Sequence, residues 1–297
     1  MSKIGFIGVG AMGEPMVANL LKKGFQVTVL KHRRADAVTR LEAQGATITS
    51  SRETLASNPI VVLCLPTSRE VEEAVLGEEG LSRKMAAKTV IVDCSTSHPD
   101  STLKLTRLLE EKKIGLVAAP MTRGVLGAKQ GTLAFFLGGE KDDIQKARPA
   151  LEAMGNTFIE FALASQAHAA KVISNVLSYS TVAVVNEALM LGAKTGLDLG
   201  ILHKALMEGA PSKSLEAFGP RIISGEYAPA RVTIDHVCED MVLAQELAAA
   251  TSSPVFMHST AQELYRMLQA RGDGERDISA IAEIWRLAAP AQTGVRQ

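Results

Sequence analysis

Lys3–Gly24 reads KIGFIGVGAMGEPMVANLLKKG, and this stretch decides the fold. Ile4, Phe6 and Ile7 form a short apolar run that predicts a buried strand. Gly8, Gly10 and Gly13 follow in the spacing G-x-G-x-x-G. The pattern then switches to helical period, with Met12, Met16, Leu20 and Leu21 on one face. Each glycine has its own task in such a turn: the first makes the tight bend, and the second lets the backbone approach a pyrophosphate. The third lets the helix pack against the strand. The start of the helix presents backbone N–H groups and the positive end of its dipole to the phosphates. Framed by a strand and an amphipathic helix, Gly8, Gly10, Ala11, Met12 and Gly13 are the expected cofactor-binding turn.

Around this stretch the chain has 297 residues, enough for one or two domains with a sizeable core. Lys+Arg and Asp+Glu are both 32, and this balance argues against a nucleic-acid footprint, which needs a basic excess. No uninterrupted apolar run approaches the length of a bilayer span, so no membrane partner is expected. The N-terminus enters a strand directly, without the pattern of a secretory signal, which points to the cytoplasm. Cys64, Cys94 and Cys238 are odd in number and far apart, so they read as free thiols in a reducing compartment. Cys64 and Cys94 lie inside apolar runs and read as core filler. No metal site is expected.

The first half alternates strand and helix signals. Gln26–Leu30, a minor strand at Gly45–Ile48, Pro59–Leu65, Thr89–Val92, Ile114–Ala118 and Thr132–Leu137 read as strands. Helical patterns cover Arg34–Ala43, Glu70–Leu76, Asp100–Lys112 and Asp142–Met154. Strands written as continuous apolar runs fit a parallel sheet covered on both faces, and the β–α alternation fits a doubly wound Rossmann fold. After about residue 162 the strand signals stop. Ala164–Lys194 contains no proline and one glycine, Gly192, which predicts one long helix. The remainder reads as all helix. The expected organisation is therefore an α/β dinucleotide-binding domain over residues 1–162. The long helix joins it to a second, all-α domain for substrate and oligomerisation over residues 163–297.

In a dinucleotide-binding unit, a carboxylate at the end of the second strand bonds the ribose 2′-OH of NAD, whereas basic residues accept the 2′-phosphate of NADP. That position here reads Lys31-His32-Arg33-Arg34, with no acid until Asp36, and so predicts NADP over NAD. Leu65-Pro66 and Ser95-Thr96 close strands at their carboxyl ends, where ligands lie in open α/β sheets. Thr96 there suits a carboxamide, a ribose or a substrate acid, and an ordinary strand-end hydroxyl looks no different.

On the long helix Lys171, Asn175 and Ser178 fall at i, i+4 and i+7 on one face, with Ser174 beside them. Their neighbours are small and apolar. A lysine in such company either snorkels to solvent or sits desolvated, with a pKa lowered toward the range of a proton donor and acceptor. In the glycine-bearing stretch 119–128, read as a loop between two strands, Thr122, Arg123 and Gly124 set a hydroxyl beside a guanidinium. That pair suits an oxyanion, and an exposed loop arginine is the plainer alternative.

Together these residues resemble the β-hydroxyacid dehydrogenase family over nearly the whole chain. The resemblance rests on GFIGVGAMGEPMVANLLKKG, VDCSTSHP, APMTRGVLGAKQGTL, KVISN and GERDISAI, in that order. It implies a Rossmann domain joined to a helical domain that forms homodimers or homotetramers. It also implies reversible NAD(P)-dependent hydride transfer to a small anionic aldehyde, or from the matching 3-hydroxyacid. By the same resemblance Lys171 is the catalytic lysine and Asn175 its orienting partner. Thr96 meets cofactor and substrate, and Thr122, Arg123 and Gly124 hold the substrate acid, with Ser174 and Ser178 nearby. Asp240 falls on the family's cofactor-facing pair.

Three departures stand out. The family's S-G-G substrate loop is Thr122-Arg123-Gly124 here. In carrying this arginine the chain is similar to sulfolactaldehyde reductases, which raises a sulfonate substrate as an alternative. The glycine-rich lead-in to the lysine is Ala164-Ser165-Gln166-Ala167-His168, and the later Lys-Asp pair is Glu239-Asp240. An imine reductase of the same architecture usually has an aspartate or tyrosine where Lys171 stands. A non-catalytic NADP-binding protein would have no use for Lys171 and Asn175.

Overall fold

Strand β1 (Lys3–Ile7) runs into helix α1 (Gly13–Lys22) through the glycine turn in the computed structural model, which describes residues 2–31 and 35–287. Along the chain follow β2 (Gln26–Leu30), α2 (Ala35–Ala43), β3 (Thr47–Thr49), α3 (Arg52–Ala56), β4 (Ile60–Leu63) and α4 (Ser68–Leu76). Next come β5 (Val90–Asp93), α5 (Pro99–Glu110), β6 (Gly115–Ala118), β7 (Met121–Thr122) and α6 (Gly124–Gln130). Then β8 (Leu133–Gly138), α7 (Lys141–Met154), β9 (Gly155–Phe161) and α8 (Ala164–Lys194) complete the order up to the long helix.

One sheet contains all nine strands, in the order β3-β2-β1-β4-β5-β6-β8-β7, with β9 also on β8. The first six are parallel; β8 runs antiparallel to β6 and β7 and parallel to β9. Every residue of β4 and of β5 is buried, as their continuous apolar sequences require of strands covered on both faces. Alternate side chains serve different layers. Phe6, Val29, Val62 and Val92 pack with Met16 and Leu20 of α1, Leu41 of α2 and Leu151 of α7. Ile7, Val61, Leu63 and Ile91 pack with Leu55 of α3, Val71 and Val75 of α4, and Leu105 of α5. This is the doubly wound arrangement. The order in which strands are added reverses at β1, whose neighbours are β2 and β4, and the carboxyl ends beside that switch point are where such sheets hold ligands.

The first compact unit runs to Val172 and the second starts at Ile173, inside α8. The first turns of α8, with His168 and Lys171, thus belong with the sheet, and the change of periodicity near residue 162 marks where the helix begins. The second unit contains the rest of α8 with α9 (Leu199–Gly209), α10 (Lys213–Ser224), α11 (Ile234–Ala250), α12 (Phe256–Ala270) and α13 (Ala282–Leu287). Its core holds Tyr179, Val182, Val237, Met241 and Tyr265, and a neighbouring cluster holds Leu189, Met190, Leu215 and Ile222. By length and composition alone α8 could cross a membrane: it has 31 residues and a window of mean hydropathy 1.4. Its buried side chains include Asn175 and Asn186 beside Val182 and Leu189, which is the composition of a core helix.

Four elements, β7, α6, α3 and β9, escape the sequence reading. The stretch 119–128 is not simply a loop: it contains β7 and the start of α6. Only Gly127 and Ala128 of α6 are buried, so the helix writes no apolar stripe into the sequence. Helix α3 is five residues long, and β9 alternates only weakly between buried and exposed positions. The reading of Cys64 as core filler fits its surroundings: burial pushes its thiol up to about 12, out of the reactive range.

Candidate functional site

The three glycines of the turn meet different surroundings. Gly8 has φ of +98°, and a methyl group on it would overlap the carbonyl of Cys64, which closes β4 next to β1. A methyl on Gly13 would overlap the carbonyl of Gly8 and press on the Phe6 ring, so α1 can lie this close to β1 only without a side chain there. A methyl on Gly10 would meet nothing within 4 Å. That open position, at the start of a helix that no side chain caps, fits a pyrophosphate brought against the backbone. Ala11 is exposed and Met12 half-buried.

Three neighbouring parallel strands end here. The Leu65 N–H donates to Ser95 Oγ at 2.9 Å and joins the ends of β4 and β5. Ser95 N–H and Ser97 Oγ–H donate to the buried Asp93 at 2.9 and 2.8 Å. Ser95 is thereby committed to the scaffold, while Thr96 beside it is half-buried and Pro66 is exposed. At the end of β2, Lys31 is exposed and its N–H donates to the Thr49 carbonyl at 2.7 Å. His32 and Arg33, the other two residues expected at the 2′-position, lie outside the described residues.

On α8, Lys171 is half-buried and Asn175 is buried, one turn further on. Asn175 Nδ2 donates to Asp240 Oδ2 at 2.8 Å, and the Tyr179 hydroxyl donates to the same oxygen at 2.7 Å. His236 Nε2 lies 3.4 Å from it. Burial, helped by the Asp240 carboxylate, pushes the Tyr179 phenol well above its usual range, so it remains a donor. Two expectations change. Ser178 is exposed, and the buried face continues from Asn175 to Tyr179 at i+4 instead, with Ser174 half-buried beside it. Asp240, expected to face the cofactor, is 4% exposed and turned to Asn175 and Tyr179. Tyr179 and His236 were missed by sequence reasoning. The signal for Tyr179 was present, since it stands four residues after Asn175 and therefore above it on the helix.

In the substrate loop the arginine has partners of its own. Arg123 Nη1 donates to the Thr132 carbonyl at 2.6 Å and to Asn156 Oδ1 at 2.7 Å, and Nη2 donates to Thr157 Oγ1 at 2.9 Å. The guanidinium is thus held by Thr132, just before β8, and by Asn156 and Thr157 of β9. Thr122 is half-buried and Gly124 looks onto open space. Arg123 itself has φ of +81°, a conformation that costs a side-chain-bearing residue roughly 1–2 kcal/mol. Arg123→Ala loses the bonds and keeps that cost, whereas Arg123→Gly loses the bonds and relieves it. The alanine variant is therefore expected to melt below the glycine variant by about 2–8 °C, with substrate KM unchanged in the glycine variant. A raised KM without a gap in Tm would return Arg123 to the substrate.

The chain matches two family models. The first, the NAD binding domain of 6-phosphogluconate dehydrogenase, covers residues 3–166. The second, described as NAD-binding of NADP-dependent 3-hydroxyisobutyrate dehydrogenase, covers residues 165–285. It is 34% identical over 293 residues to an NAD-dependent L-serine dehydrogenase of Pseudomonas aeruginosa, covering 96% of this chain and 98% of that one. A structure of Mycobacterium tuberculosis 3-hydroxyisobutyrate dehydrogenase with L-serine superposes with a TM-score of 0.88. It is 26% identical and covers 96% of this chain and 99% of the other. An imine reductase from Pseudomonas sp. shares the fold alone, with a TM-score of 0.60 at 16% identity over 95% and 98% of the two chains.

Proposed function

The chain belongs to the β-hydroxyacid dehydrogenase family, and from that premise we propose that it reduces a small carboxylate-bearing aldehyde with NADPH, or oxidises the matching 3-hydroxyacid, with Lys171 as general acid and base. That it is an NAD(P)-dependent enzyme follows from the family; the cofactor preference, the substrate and the role of Lys171 are our reading. The observation that carries it is the α8 face. Lys171 stands one turn before an asparagine whose amide is held by a buried carboxylate.

The glycine turn fits the dinucleotide, because Gly10 leaves open space where a methyl would stand and Gly8 and Gly13 leave none. A bound nicotinamide would supply a hydride, two electrons with the hydrogen that ends on the carbonyl carbon. Lys171 supplies the proton to the carbonyl oxygen and takes it back in the reverse direction. Its positive charge also stabilises the alkoxide as it develops. An amide that donates Nδ2–H to Asp240 has its Oδ1 turned the other way, as an acceptor for an ammonium or hydroxyl group. Asp240 and Tyr179 therefore act by holding Asn175. Thr122, Gly124 and Thr96 are the groups we assign to the substrate carboxylate. With Arg123 bonded to Thr132, Asn156 and Thr157, no observation favours a sulfonate. Lys31, exposed after β2, and its basic neighbours in the sequence support NADP. Ile173, Leu177, Val184 and Leu191 stay exposed along α8, which supports a homodimer or homotetramer. We place the enzyme in the cytoplasm.

The test is kcat/KM with NADPH and with NADH. The substrates are succinic semialdehyde, glyoxylate, tartronate semialdehyde and methylmalonate semialdehyde in reduction, and L-serine and 3-hydroxyisobutyrate in oxidation. Turnover of one acid substrate with NADPH favoured is the expected result; silence across the panel defeats the reading. Lys31→Asp with Arg33→Ala should lower the NADPH/NADH ratio of kcat/KM roughly 10- to 100-fold, since a charged hydrogen bond is worth about 1.5–3 kcal/mol. An unchanged ratio would remove the NADP assignment.

A further inference from the structure

His168 is fully buried in the first turns of α8, three residues before Lys171. Its Nδ1 lies 2.7 Å from Thr102 Oγ1 on α5, and its Nε2 lies 3.6 Å from Asp93 Oδ2 at the end of β5. Thr102 and Asp93 are also buried. The protons can be placed by elimination. Asp93 only accepts, and it already takes the Ser95 N–H and the Ser97 hydroxyl, so the ring nitrogen facing it carries hydrogen. Burial holds the His168 pKa below its ordinary value, so the ring is neutral and Nδ1 accepts from the Thr102 hydroxyl. The His98 carbonyl, which also lies near that hydroxyl, keeps the Thr102 N–H at 3.1 Å.

The ring therefore bonds α5 to the turn of α8 that carries Lys171, and its Nε2, buried without a hydrogen bond, faces the carboxylate at the end of β5 across 3.6 Å. Among the described residues the other buried histidine, His258, has its Nε2 3.0 Å from the Met241 carbonyl in its own helical unit. Ala164 and Ala167, small and buried against Ala118, let this end of α8 come close enough to the sheet for His168 to reach. The carboxylate it faces also holds the N–H of Ser95, next to Thr96, and Ser95 holds the N–H of Leu65. One buried cluster thus connects the Lys171 turn to both strand ends expected to meet cofactor and substrate. An apolar side chain at 168 would fill the same space without these demands.

We propose that Asp93, His168 and Thr102 form a positioning unit that fixes the Lys171 turn against the Ser95–Thr96 strand end, and so sets the rate of proton transfer without contributing to the affinity for cofactor or substrate. This rests on the reading of Lys171 as the proton-transfer group. His168 touches no reacting atom; it acts through the placement of Lys171. A displacement of about 1 Å at a reacting group costs up to about 100-fold in rate.

The test compares Thr102→Val, His168→Leu and His168→Gln with wild type and Lys171→Ala. It uses NADPH and the best aldehyde of the panel, measuring kcat, KM and the NADPH Kd by fluorescence. Thr102→Val and His168→Leu are expected to lower kcat about 10- to 100-fold with KM and Kd within about twofold. His168→Gln, whose amide can donate to Asp93 and accept from Thr102, is expected to recover most of kcat. If Thr102→Val, the milder packing change, keeps wild-type kcat while Lys171→Ala is inactive, the cluster is only structural and the proposal is overturned. Parallel loss of kcat and of NADPH binding in all three variants, glutamine included, overturns it too. Full turnover by Lys171→Ala would instead bring down the reading beneath it, and the inference with it.

Discussion

Lys171→Ala is expected to lower kcat by about 10²- to 10⁴-fold, which is the usual share of a general acid–base group and amounts to roughly 3–5 kcal/mol of the barrier. The loss has two parts, since the alanine variant can neither pass a proton to the carbonyl oxygen nor offset charge on it. The residue is half-buried on α8, so the shortened side chain opens no large cavity and the fold should survive. NADPH should bind as in wild type, because the glycine turn and Lys31 are untouched. Lys171→Arg separates the two parts: it keeps the charge, but a guanidinium holds its proton too tightly to pass it on. It should therefore recover a minor fraction of kcat at most. The decisive readings are single-turnover rates with NADPH and the best panel aldehyde. If the alanine variant retains a third or more of the wild-type rate, another residue handles the proton.

Gly8→Ala and Gly10→Ala are expected to fail in opposite ways, though both change one hydrogen to a methyl group in the same turn. At Gly8 the methyl meets the Cys64 carbonyl and the backbone has φ of +98°. Strain of roughly 1–2 kcal/mol joins an overpacking cost of roughly 1–3 kcal/mol. The sum is a large part of the 5–15 kcal/mol by which folded proteins usually exceed their unfolded state. Gly8→Ala should thus show a markedly lower Tm and a small folded yield. At Gly10 nothing lies within 4 Å of the added carbon, so Tm should match wild type. The same methyl occupies the space assigned to the pyrophosphate, and NADPH Kd should weaken tenfold or more, about 1.4 kcal/mol. A Gly10→Ala protein that binds NADPH normally would show that the dinucleotide lies elsewhere.

The parts of this protein legible from sequence are those written in short-range patterns. The glycine spacing, the apolar runs of β4 and β5 and the uninterrupted helical stretch from Ala164 to Lys194 each depend on neighbours a few residues away. Such patterns led to the doubly wound sheet and the helical second unit. They also placed Lys171 and Asn175 on one helix face. Elements without a strong local pattern were missed: α3, α6 and β9 are short, or bury too few side chains to leave a period.

Partnership across the chain was not legible. Asn175 and Asp240 are 65 residues apart, His168 and Thr102 are 66 apart, and Arg123 and Thr157 are 34 apart. The sequence by itself determined that there would be a dinucleotide turn, a basic end to the second strand and a lysine on the long helix. Only the tertiary structure decided that Arg123 is held by Thr132, Asn156 and Thr157, that Ser178 yields its place to Tyr179, and that Asp240 is buried against Asn175. Residue type sets which bonds a side chain is able to make. Packing sets which of its possible partners comes within 3 Å, and a charged or polar group in a desolvated place must take the partner it finds there.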